Sequence, residues 1–405
     1  MTVANGRQFL AVPGPTNVPD AVLQAMQQPA VDIYSGPLLA LTDRCVASLG
    51  QLFGTTGRCF IYAANGHGAW EAAATNVLSR GDKVLVLESG GFALGWGETA
   101  GRLGAEVEIL PGSFRAAVDP AAFARRIKAD SGKTIKAVLV VQVDTASSVV
   151  NDIPALRRAL DEADHPALLM VDTIASLGTM PFHMDEWGVD VAITGSQKGL
   201  MTPPGLSFAA ANERAWEAHQ KADLRTPYWD WTFRSGPEHY MKYCGTPPEH
   251  LLYGLDRALQ MIFAEGLEAI WHRHALLAEA VRRAVGVWSE GQVLQFNIAE
   301  ARERSNSVTT VLLPEGMSPQ PLQDFCQQRC GLTLGVGISK LSGKAFRIAH
   351  MGHVNAPMVL GTLGVIEVAL QALGIPHGRG GLQAAADWLG SKVAPLPRGD
   401  AHDGP

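Results

Sequence analysis

Two charged residues follow neighbouring apolar segments, where together they could support chemistry on a pyridine ring. Asp172 ends the apolar run ALLMVD, and Lys198 follows the run VDVAITG within the segment GSQKG. If both runs are strands of an open α/β sheet, their carboxyl ends border the crevice in which ligands bind. A carboxylate can keep a ring nitrogen protonated while an amine forms a Schiff base. Taken alone, Asp172 could be a helix cap or turn residue, and Lys198 could be a solvated loop cation. The two together predict a pyridine cofactor.

A second candidate site is the segment Asn65-Gly66-His67-Gly68, which lies between the apolar run CFIYAA and the helical stretch AWEAAATNVL. Unpaired backbone amides at the start of a helix bind phosphate, and glycine permits its close approach. The segment lacks the G-x-G-x-x-G spacing of a dinucleotide fold and the Gly-Lys-Ser/Thr of a P-loop. It is therefore either an anion cradle or a plain strand-to-helix turn.

The pattern along the chain indicates the elements that position these residues. From about Gly66 to Phe208, short apolar runs alternate with helical stretches, which predicts an α/β domain with a mostly parallel sheet covered on both faces. After Leu255, long helical stretches lead to short strands around PQPLQDFCQQRC, the pattern of a smaller α+β domain. The predicted units are an N-terminal segment over 1–20, a large cofactor-binding domain over 21–255, a small C-terminal domain over 256–393 and a frayed tail over 394–405.

Composition excludes several other classes of protein. The net charge of −6 and the absence of basic runs give no electrostatic reason to expect nucleic acid. No apolar run approaches the roughly 18 residues that span a bilayer, and the N-terminus has no targeting character, so we expect a cytoplasmic protein without a membrane partner. Five scattered cysteines argue against a disulfide framework. Cys326 and Cys330 could share a helix face, but further ligands are missing nearby, and no metal site is predicted.

A set of longer motifs spans most of the chain. They are PGPTN at 13–17, NGHGAWEAA at 65–73, GDKVLV at 81–86, VDTIASLG at 171–178, DEWGVDVAITGSQKGLMTPPGLSF at 185–208, YCGTPP at 243–248 and FRIAHMG at 346–352. With these motifs the chain resembles the class V aminotransferases of the alanine/serine–glyoxylate group. The resemblance implies a fold-type I transferase that catalyses transamination with pyridoxal 5'-phosphate as its cofactor. The SQK segment followed by PPG is its most specific part.

The resemblance also implies which residues hold the cofactor. Lys198 would carry it, Asp172 would pair with the pyridinium nitrogen, and Phe92 in SGGFA would stack on the ring. Ile174 would support the opposite face of the ring, and Thr145 is a candidate partner of the ring hydroxyl. The residues implied at the phosphate are Gly66, His67 and Gln197, with Tyr243 and Thr246 from the second subunit of a homodimer with shared active sites.

Substrate binding is implied at Arg347, whose guanidinium would bind an α-carboxylate bidentately. A buried arginine at that position needs an anion to justify its burial. The bulky side chains of Tyr34, Phe92 and Trp96 would leave little room for a large substrate. We therefore expect a small amino acid such as alanine or serine as the donor, and a small 2-oxo acid such as glyoxylate or pyruvate as the acceptor.

Two segments depart from the family pattern. Many glyoxylate enzymes carry His-Arg-Ser near the substrate entrance, where this chain has Ile33-Tyr34-Ser35, and Val143-Asp144-Thr145 replaces the usual Asn-Glu-Thr. These changes bear on substrate identity more than on cofactor chemistry, since the entrance is where a substrate side chain is contacted. The aromatic segment Tyr228-Trp229-Asp230-Trp231 is interpreted as interface packing, with a lining of the substrate entrance as the alternative.

Other functions fit the sequence less well. A sulfur-transferring lyase of the same superfamily needs a nucleophilic cysteine on a mobile loop, and Cys326 and Cys330 stand instead in the amphipathic stretch PLQDFCQQRC. A nicotinamide-dependent oxidoreductase would share the parallel sheet, but the glycine-rich turn lacks the fingerprint spacing. A noncatalytic cofactor-binding regulator would need a DNA-binding appendage or a basic stripe, and the sequence has neither.

Overall fold

The computed structural model describes residues 2–393, so the tail predicted over 394–405 lies outside the described residues. The strands in this range are β1 (Phe9–Ala11), β2 (Arg58–Tyr62), β3 (Lys83–Leu87), β4 (Glu106–Leu110), β5 (Ile135–Val141), β6 (Val143–Asp144), β7 (Val149–Val150), β8 (Leu168–Asp172), β9 (Val191–Gly195), β10 (Ser207–Ala211), β11 (Gln295–Phe296), β12 (Val308–Leu312), β13 (Leu332–Val336) and β14 (Ala345–Ala349). The helices are α1 (Asp20–Ala25), α2 (Pro37–Phe53), α3 (Gly66–Val77), α4 (Gly91–Leu103), α5 (Pro120–Ala129), α6 (Ile153–Glu162), α7 (Glu213–His219), α8 (Trp231–Arg234), α9 (Glu249–Glu265), α10 (Leu267–Ser289), α11 (Gln320–Cys330), α12 (Ala356–Ala372) and α13 (Gly381–Lys392). Among the helices of residues 2–393, none combines the length and the apolar character needed to cross a membrane.

A seven-stranded sheet forms the large domain, in the order β2-β10-β9-β8-β5-β3-β4. β10 runs antiparallel to both of its neighbours, while the remaining pairs are parallel. Because β10 reverses the direction twice, β2 points the same way as β9. The carboxyl ends of every strand except β10 therefore meet at one edge, which is where an open α/β sheet binds its ligand. The predicted α/β class is confirmed.

Two elements of the large domain differ from the sequence pattern. β10 has the sequence SFAAA, and alanine favours strands weakly, so the sequence does not predict it. Its place between β2 and β9, with every residue buried, overrides that weak preference. α4 begins at Gly91, inside the glycine-rich run SGG that disfavours a helix, and the Asp144 carboxylate accepts hydrogen bonds from the backbone amides of Phe92 and Ala93 in its first turn.

The small domain has a five-stranded sheet in the order β1-β13-β14-β12-β11. β1 pairs in parallel with β13, with Phe9 opposite Leu332, and the other pairs are antiparallel. The predicted N-terminal segment over 1–20 thus supplies an edge strand to the sheet of the C-terminal domain. Apolar side chains of α10, α11, α12 and α13 pack on this sheet and form its core.

The change from one core to the other falls inside α10. Leu259 and Ile262 of α9, and Ile270 at the start of α10, belong to the core of the large domain. Leu277 and the following apolar residues of α10 belong to the core of the small domain. The boundary expected near residue 255 is therefore too early in terms of packing, because helical periodicity shows which face is buried but not which sheet covers it.

Candidate active site

A cavity of about 290 Å³ opens at the carboxyl edge of the large sheet. Most of the cofactor residues predicted from the sequence line it together. They are Gly66, His67, Phe92, Thr145, Asp172, Ile174, Gln197 and Lys198, and the wall is completed by Asn65, Trp70, Val141, Val143 and Ala175. These residues come from the loops and helices that follow β2, β3, β5, β8 and β9, so the sheet topology alone brings them to one place.

Asp172 is the last residue of β8 and is almost completely buried. Its Oδ1 accepts a hydrogen bond from the backbone N–H of Ile174 at 2.7 Å, and its Oδ2 accepts one from Trp70 Nε1 at 2.7 Å. Burial raises the pKa of Asp172 to about 7, against the lowering effect of these two hydrogen bonds. The carboxyl group therefore has one fixed orientation and is poised between its two protonation states near neutral pH.

Lys198 lies just beyond β9, and its side chain is enclosed by the N-terminal segment. Nζ donates a hydrogen bond to the carbonyl oxygen of Pro13, and Thr16 Oγ1 donates to the carbonyl oxygen of Lys198 at 3.0 Å. Gly14 has a φ of +99°, a conformation that favours glycine, and a Cβ atom there would lie 2.5 Å from Nζ, so a larger residue would displace the lysine side chain. Burial lowers the pKa of Lys198 to about 8, with the nearby charge of Arg347 adding to the effect. A buried amine of this kind is neutral, and hence nucleophilic, more often than a surface lysine.

Arg347 stands on β14, in the small domain, and adjoins the cavity wall. Its Nε donates to the carbonyl oxygen of Val336 at 2.7 Å, and its Nη1 donates to the carbonyl oxygen of Thr145 at 2.9 Å. Burial lowers the pKa of Arg347 to about 10, against the influence of Asp144, and the group remains charged at neutral pH. These contacts use Nε and one side of the fork, so the end that carries Nη2 is the part available to a substrate carboxylate.

The cradle segment, residues 65–68 at the start of α3, has two of its amides engaged by a side chain, and its binding of an anion stays a prediction. Asn65 caps the helix, and its Oδ1 accepts hydrogen bonds from the backbone amides of His67 at 3.1 Å and Gly68 at 3.3 Å. A Cβ atom on Gly66 would lie 2.5 Å from Ile174 Cδ1, so a larger residue there would push the tip of the Ile174 side chain aside. A phosphate at this position would share or displace the contacts of Asn65.

The comparison with known proteins identifies the family. The family model described as Aminotransferase class-V matches residues 8–341. This chain belongs to the class-V aminotransferases. The enzyme is 40% identical over 393 residues to the serine–glyoxylate aminotransferase of Methylorubrum extorquens, which covers 95% of this chain and 96% of that protein. It is 36% identical over 378 residues to the L-aspartate–glyoxylate aminotransferase of Paracoccus denitrificans, at 93% and 94% coverage. The crystal structure of ureidoglycine–glyoxylate aminotransferase from Bacillus subtilis matches with a TM-score of 0.87 at 26% identity, covering 96% of this chain and 99% of that one.

The family depends on pyridoxal phosphate, and the residues of this aminotransferase fit that cofactor. Gln197 Oε1 is buried at the cavity wall without a hydrogen-bond partner among the described residues. The lining places the buried amine of Lys198 and the buried carboxyl of Asp172 beside apolar and aromatic side chains. A cofactor with a charged aromatic ring needs both kinds of neighbour. The fold-type I architecture and the cofactor expected from the sequence are confirmed.

Three residues expected at the site lie elsewhere in this chain. Tyr243 is buried in the core of the large domain, where its hydroxyl lies 2.8 Å from Thr42 Oγ1, so it lies away from the cavity of its own chain, and its role at the phosphate of a second subunit stays a prediction. Tyr34 is 69% exposed and does not line the cavity. Trp96 is buried behind Trp70 rather than at the cavity surface. Within one chain, Tyr34 and Trp96 therefore do not narrow the cavity as expected, because sequence motifs do not show which way a side chain points. Thr246 is exposed, so its role stays a prediction.

The sequence reasoning missed several residues that shape the site. Trp70 is part of the motif NGHGAWEAA, yet only the fold brings its indole to Asp172. Asp144 was noted as a departure from the family pattern, but its capping of α4, and hence its support of Phe92, depends on tertiary contact. Asn65 could have been found from sequence, since an asparagine before a glycine-rich helix start is a typical N-cap.

The remaining candidate segments have structural roles in this chain. Trp231, expected at an interface, is fully buried and donates from Nε1 to the Tyr62 hydroxyl at 2.8 Å. Cys326 is buried in the regular helix α11, and burial raises the pKa of its thiol to about 12. Such a thiol is neither mobile nor nucleophilic, and together with the family match this does not favour the lyase alternative.

Proposed function

We propose that this aminotransferase moves an amino group between a small amino acid, such as alanine or serine, and a small 2-oxo acid, such as glyoxylate or pyruvate. One observation carries the choice of small substrates. Lys198 is the only lysine or arginine among the cavity-lining residues of the described chain, and Arg347 adjoins it from the small domain. One guanidinium binds one α-carboxylate, so a second carboxylate on the substrate would enter the cavity without a cation.

Each residue of the site has a separate proposed role in transamination. Bound pyridoxal phosphate supplies an electron sink for the electron pair released when the α C–H bond of the substrate breaks. Lys198 accepts and returns the α-proton at Nζ, since it is the base that faces the cavity beyond β9. Asp172 keeps its partner ring nitrogen protonated, and Arg347 orients the substrate through its α-carboxylate. Phe92 and Ile174 exclude water from the lining.

The names of the relatives support glyoxylate as an acceptor and leave the donor to be measured. One relative is named for serine and another for L-aspartate, although both are named for glyoxylate. The test is a steady-state comparison of alanine, serine, aspartate and glutamate as donors, with glyoxylate, pyruvate and 2-oxoglutarate as acceptors. We expect the small neutral donors and small acceptors to give the highest kcat/KM. A clear preference for 2-oxoglutarate, or for aspartate over serine, would contradict the proposal and would indicate a cation supplied from outside this lining.

We also infer that the enzyme works as a homodimer in which the loop of Tyr34 and the segment of Thr246 complete the site of the other subunit. Both residues are exposed and lie outside the cavity of their own chain. Asn65 and His67, on the cradle side of that cavity, are exposed as well. Residues of a second chain can therefore contact the cavity from that side. The unpaired cysteines among the described residues favour a reducing compartment, and we place the enzyme in the cytoplasm.

Subunit mixing tests the shared site. A Thr246→Asp chain places a negative charge where a phosphate is expected, and a Lys198→Ala chain lacks the reactive amine. We expect each homodimer to be inactive, and we expect their mixture to regain activity because one site in each mixed dimer is intact. A fully active monomer on a sizing column, or no recovery after subunit exchange is confirmed, would contradict the shared site.

A further inference from the structure

The aromatic wall of the cavity contains one polar atom that meets the buried carboxylate. Trp70 Nε1 donates to Asp172 Oδ2 at 2.7 Å, and the indole is 2% exposed. We propose that Trp70 is a positioning residue for Asp172. The indole N–H of Trp70 fixes the rotation of the Asp172 carboxylate and favours its charged form. This role rests on the proposed function, in which Asp172 is the partner of the ring nitrogen of the cofactor.

The indole of Trp70 is held from several sides. It stacks on Trp96, with ring centroids 6.3 Å apart and an interplanar angle of 14°, and it meets Phe92 edge-on at 6.2 Å. The ring of His67 lies 4.5 Å from it. Because α3 carries Trp70 and α4 carries both Trp96 and Phe92, the donor cannot swing away without disturbing the packing of two helices. The N–H therefore meets Asp172 from a fixed direction.

Two donors together define the orientation of the carboxylate. The backbone N–H of Ile174 bonds Oδ1 at 2.7 Å, and the indole N–H bonds Oδ2 at the same distance. With a fixed donor on each oxygen, Asp172 keeps the rotation about Cβ–Cγ that satisfies both bonds. Loss of the indole N–H would leave only the hydrogen bond from Ile174. The carboxylate could then rotate about Cβ–Cγ more freely. The Ile174 donor belongs to the backbone, so Trp70 is the donor that a substitution can remove.

The charge of Asp172 depends on the same contacts. Burial raises the pKa of its carboxyl to about 7, and the hydrogen bonds from Ile174 and Trp70 lower it. The other titratable or charged groups in its surroundings are Asp144, Lys198, Arg347 and His67. Of these, Asp144 raises the pKa of Asp172 and Lys198 lowers it. Deleting the indole N–H should therefore shift Asp172 toward its neutral form, which holds a partner nitrogen less firmly in its protonated state.

The chain offers a matched pair of variants. Trp70→Phe removes the N–H and keeps an aromatic ring at the cavity wall. Trp96→Phe makes the same chemical change in the neighbouring ring of the stack, whose Nε1 is buried without a hydrogen-bond partner among the described residues and which does not line the cavity. Any effect of lost indole volume appears in both variants, whereas an effect of the lost hydrogen bond appears only in Trp70→Phe.

The first measurement uses the full-length apo-protein, so it does not depend on turnover. Aspartate is labelled with ¹³C at the side-chain carboxyl, and the resonance of Asp172 is assigned by its loss in Asp172→Asn. We expect the titration midpoint of Asp172 to rise by about one pH unit or more in Trp70→Phe and to keep its wild-type value in Trp96→Phe. An unchanged midpoint in Trp70→Phe, or an equal rise in both variants, would overturn the proposal.

A second measurement keeps the proposal testable if Trp70→Phe does not fold. In wild-type apo-protein the ¹⁵N–¹H indole resonance of Trp70 should titrate with the midpoint of Asp172, and that step should vanish in Asp172→Asn. An indole resonance that ignores the state of Asp172 would overturn the role. In the loaded enzyme we expect Trp70→Phe to lower kcat while leaving KM nearly unchanged. A wild-type enzyme without transaminase activity would defeat the proposed function and leave both apo-protein titrations interpretable.

Discussion

The cavity has two ends that are organised differently. At the Asp172 end, Trp70 and Ile174 hold a buried carboxyl by fixed hydrogen bonds within one chain. At the cradle, Asn65 and His67 are exposed, and the amides expected to bind phosphate are occupied by the side chain of Asn65. The fold of one chain thus decides orientation and charge at the Asp172 end. At the cradle, the orientation and charge of the binding groups depend on the ligand and, under the homodimer proposal, on a second subunit.

The difference has a physical basis in the elements that form each end. Asp172 terminates a strand buried on both faces, and Lys198 follows the neighbouring strand, so both are fixed by the sheet. The cradle is the first turn of a helix, where backbone amides lack partners within the helix and donate to whichever acceptor is nearest. Substitutions at the Asp172 end should therefore affect chemistry, and substitutions at the cradle should affect stability and binding.

Lys198→Ala should have the largest effect. Loss of Nζ removes the amine that we propose as the acceptor of the α-proton, so we expect turnover to fall by up to about 10⁴-fold, while cofactor binding persists through the other lining residues. Turnover is measured by product formation and binding by spectroscopic titration. Lys133→Ala, which removes a surface lysine paired with Asp164, is the control and should keep wild-type turnover. Ordinary turnover by Lys198→Ala would rule out its assignment.

Asp172→Asn should follow in size. An amide cannot hold a ring nitrogen protonated by its charge, so we expect kcat to fall on the order of 10²- to 10³-fold with little change in fold. Rapid-mixing measurement of α-proton removal, checked by circular dichroism, gives the result. If this rate constant were unchanged, or if Asn65→Ala at the cradle lowered it more, the contrast between the two ends would not hold.

Arg347→Lys should weaken every substrate to a similar degree. The lysine keeps a charge but loses the planar fork and the hydrogen bonds that Nε and Nη1 make to the carbonyl oxygens of Val336 and Thr145. We expect kcat/KM to fall roughly ten- to hundred-fold for donors and acceptors alike. A loss confined to one substrate would show that Arg347 reads a side chain rather than the shared α-carboxylate.

Asn65→Ala should have the smallest effect on chemistry. Loss of the N-cap should destabilise the apo-protein by about 0.5–2 kcal/mol, but it also releases the amides of His67 and Gly68 toward an anion. Thermal unfolding of the apo-protein with and without inorganic phosphate should show a larger stabilisation by phosphate than in the wild type. Asn355→Ala, which removes the cap of α12 in the small domain, is the control and should not change the response to phosphate. A weaker response in Asn65→Ala would mean that Asn65 itself binds the anion.

The amino-acid sequence alone predicted the cavity in which we propose that the reaction takes place. Alternating apolar and helical segments predict the parallel sheet, and the places of Asp172 and Lys198 at the ends of two of its strands predict a cofactor crevice, because strand ends are fixed by local patterns. The motifs also placed Gly66, Phe92 and Gln197 in the same cavity, and the structure brings them together.

Tertiary structure decided what depends on residues far apart in the chain. The hydrogen bond from Trp70 to Asp172 joins positions 102 residues apart, and Asp144 caps the first turn of α4 from 52 and 51 residues away. The burial of Tyr243, whose hydroxyl meets Thr42 of another helix, is likewise visible only in the folded chain. Local sequence patterns specify elements and their buried faces, whereas the direction of a side chain is set by neighbours that only the folded chain supplies.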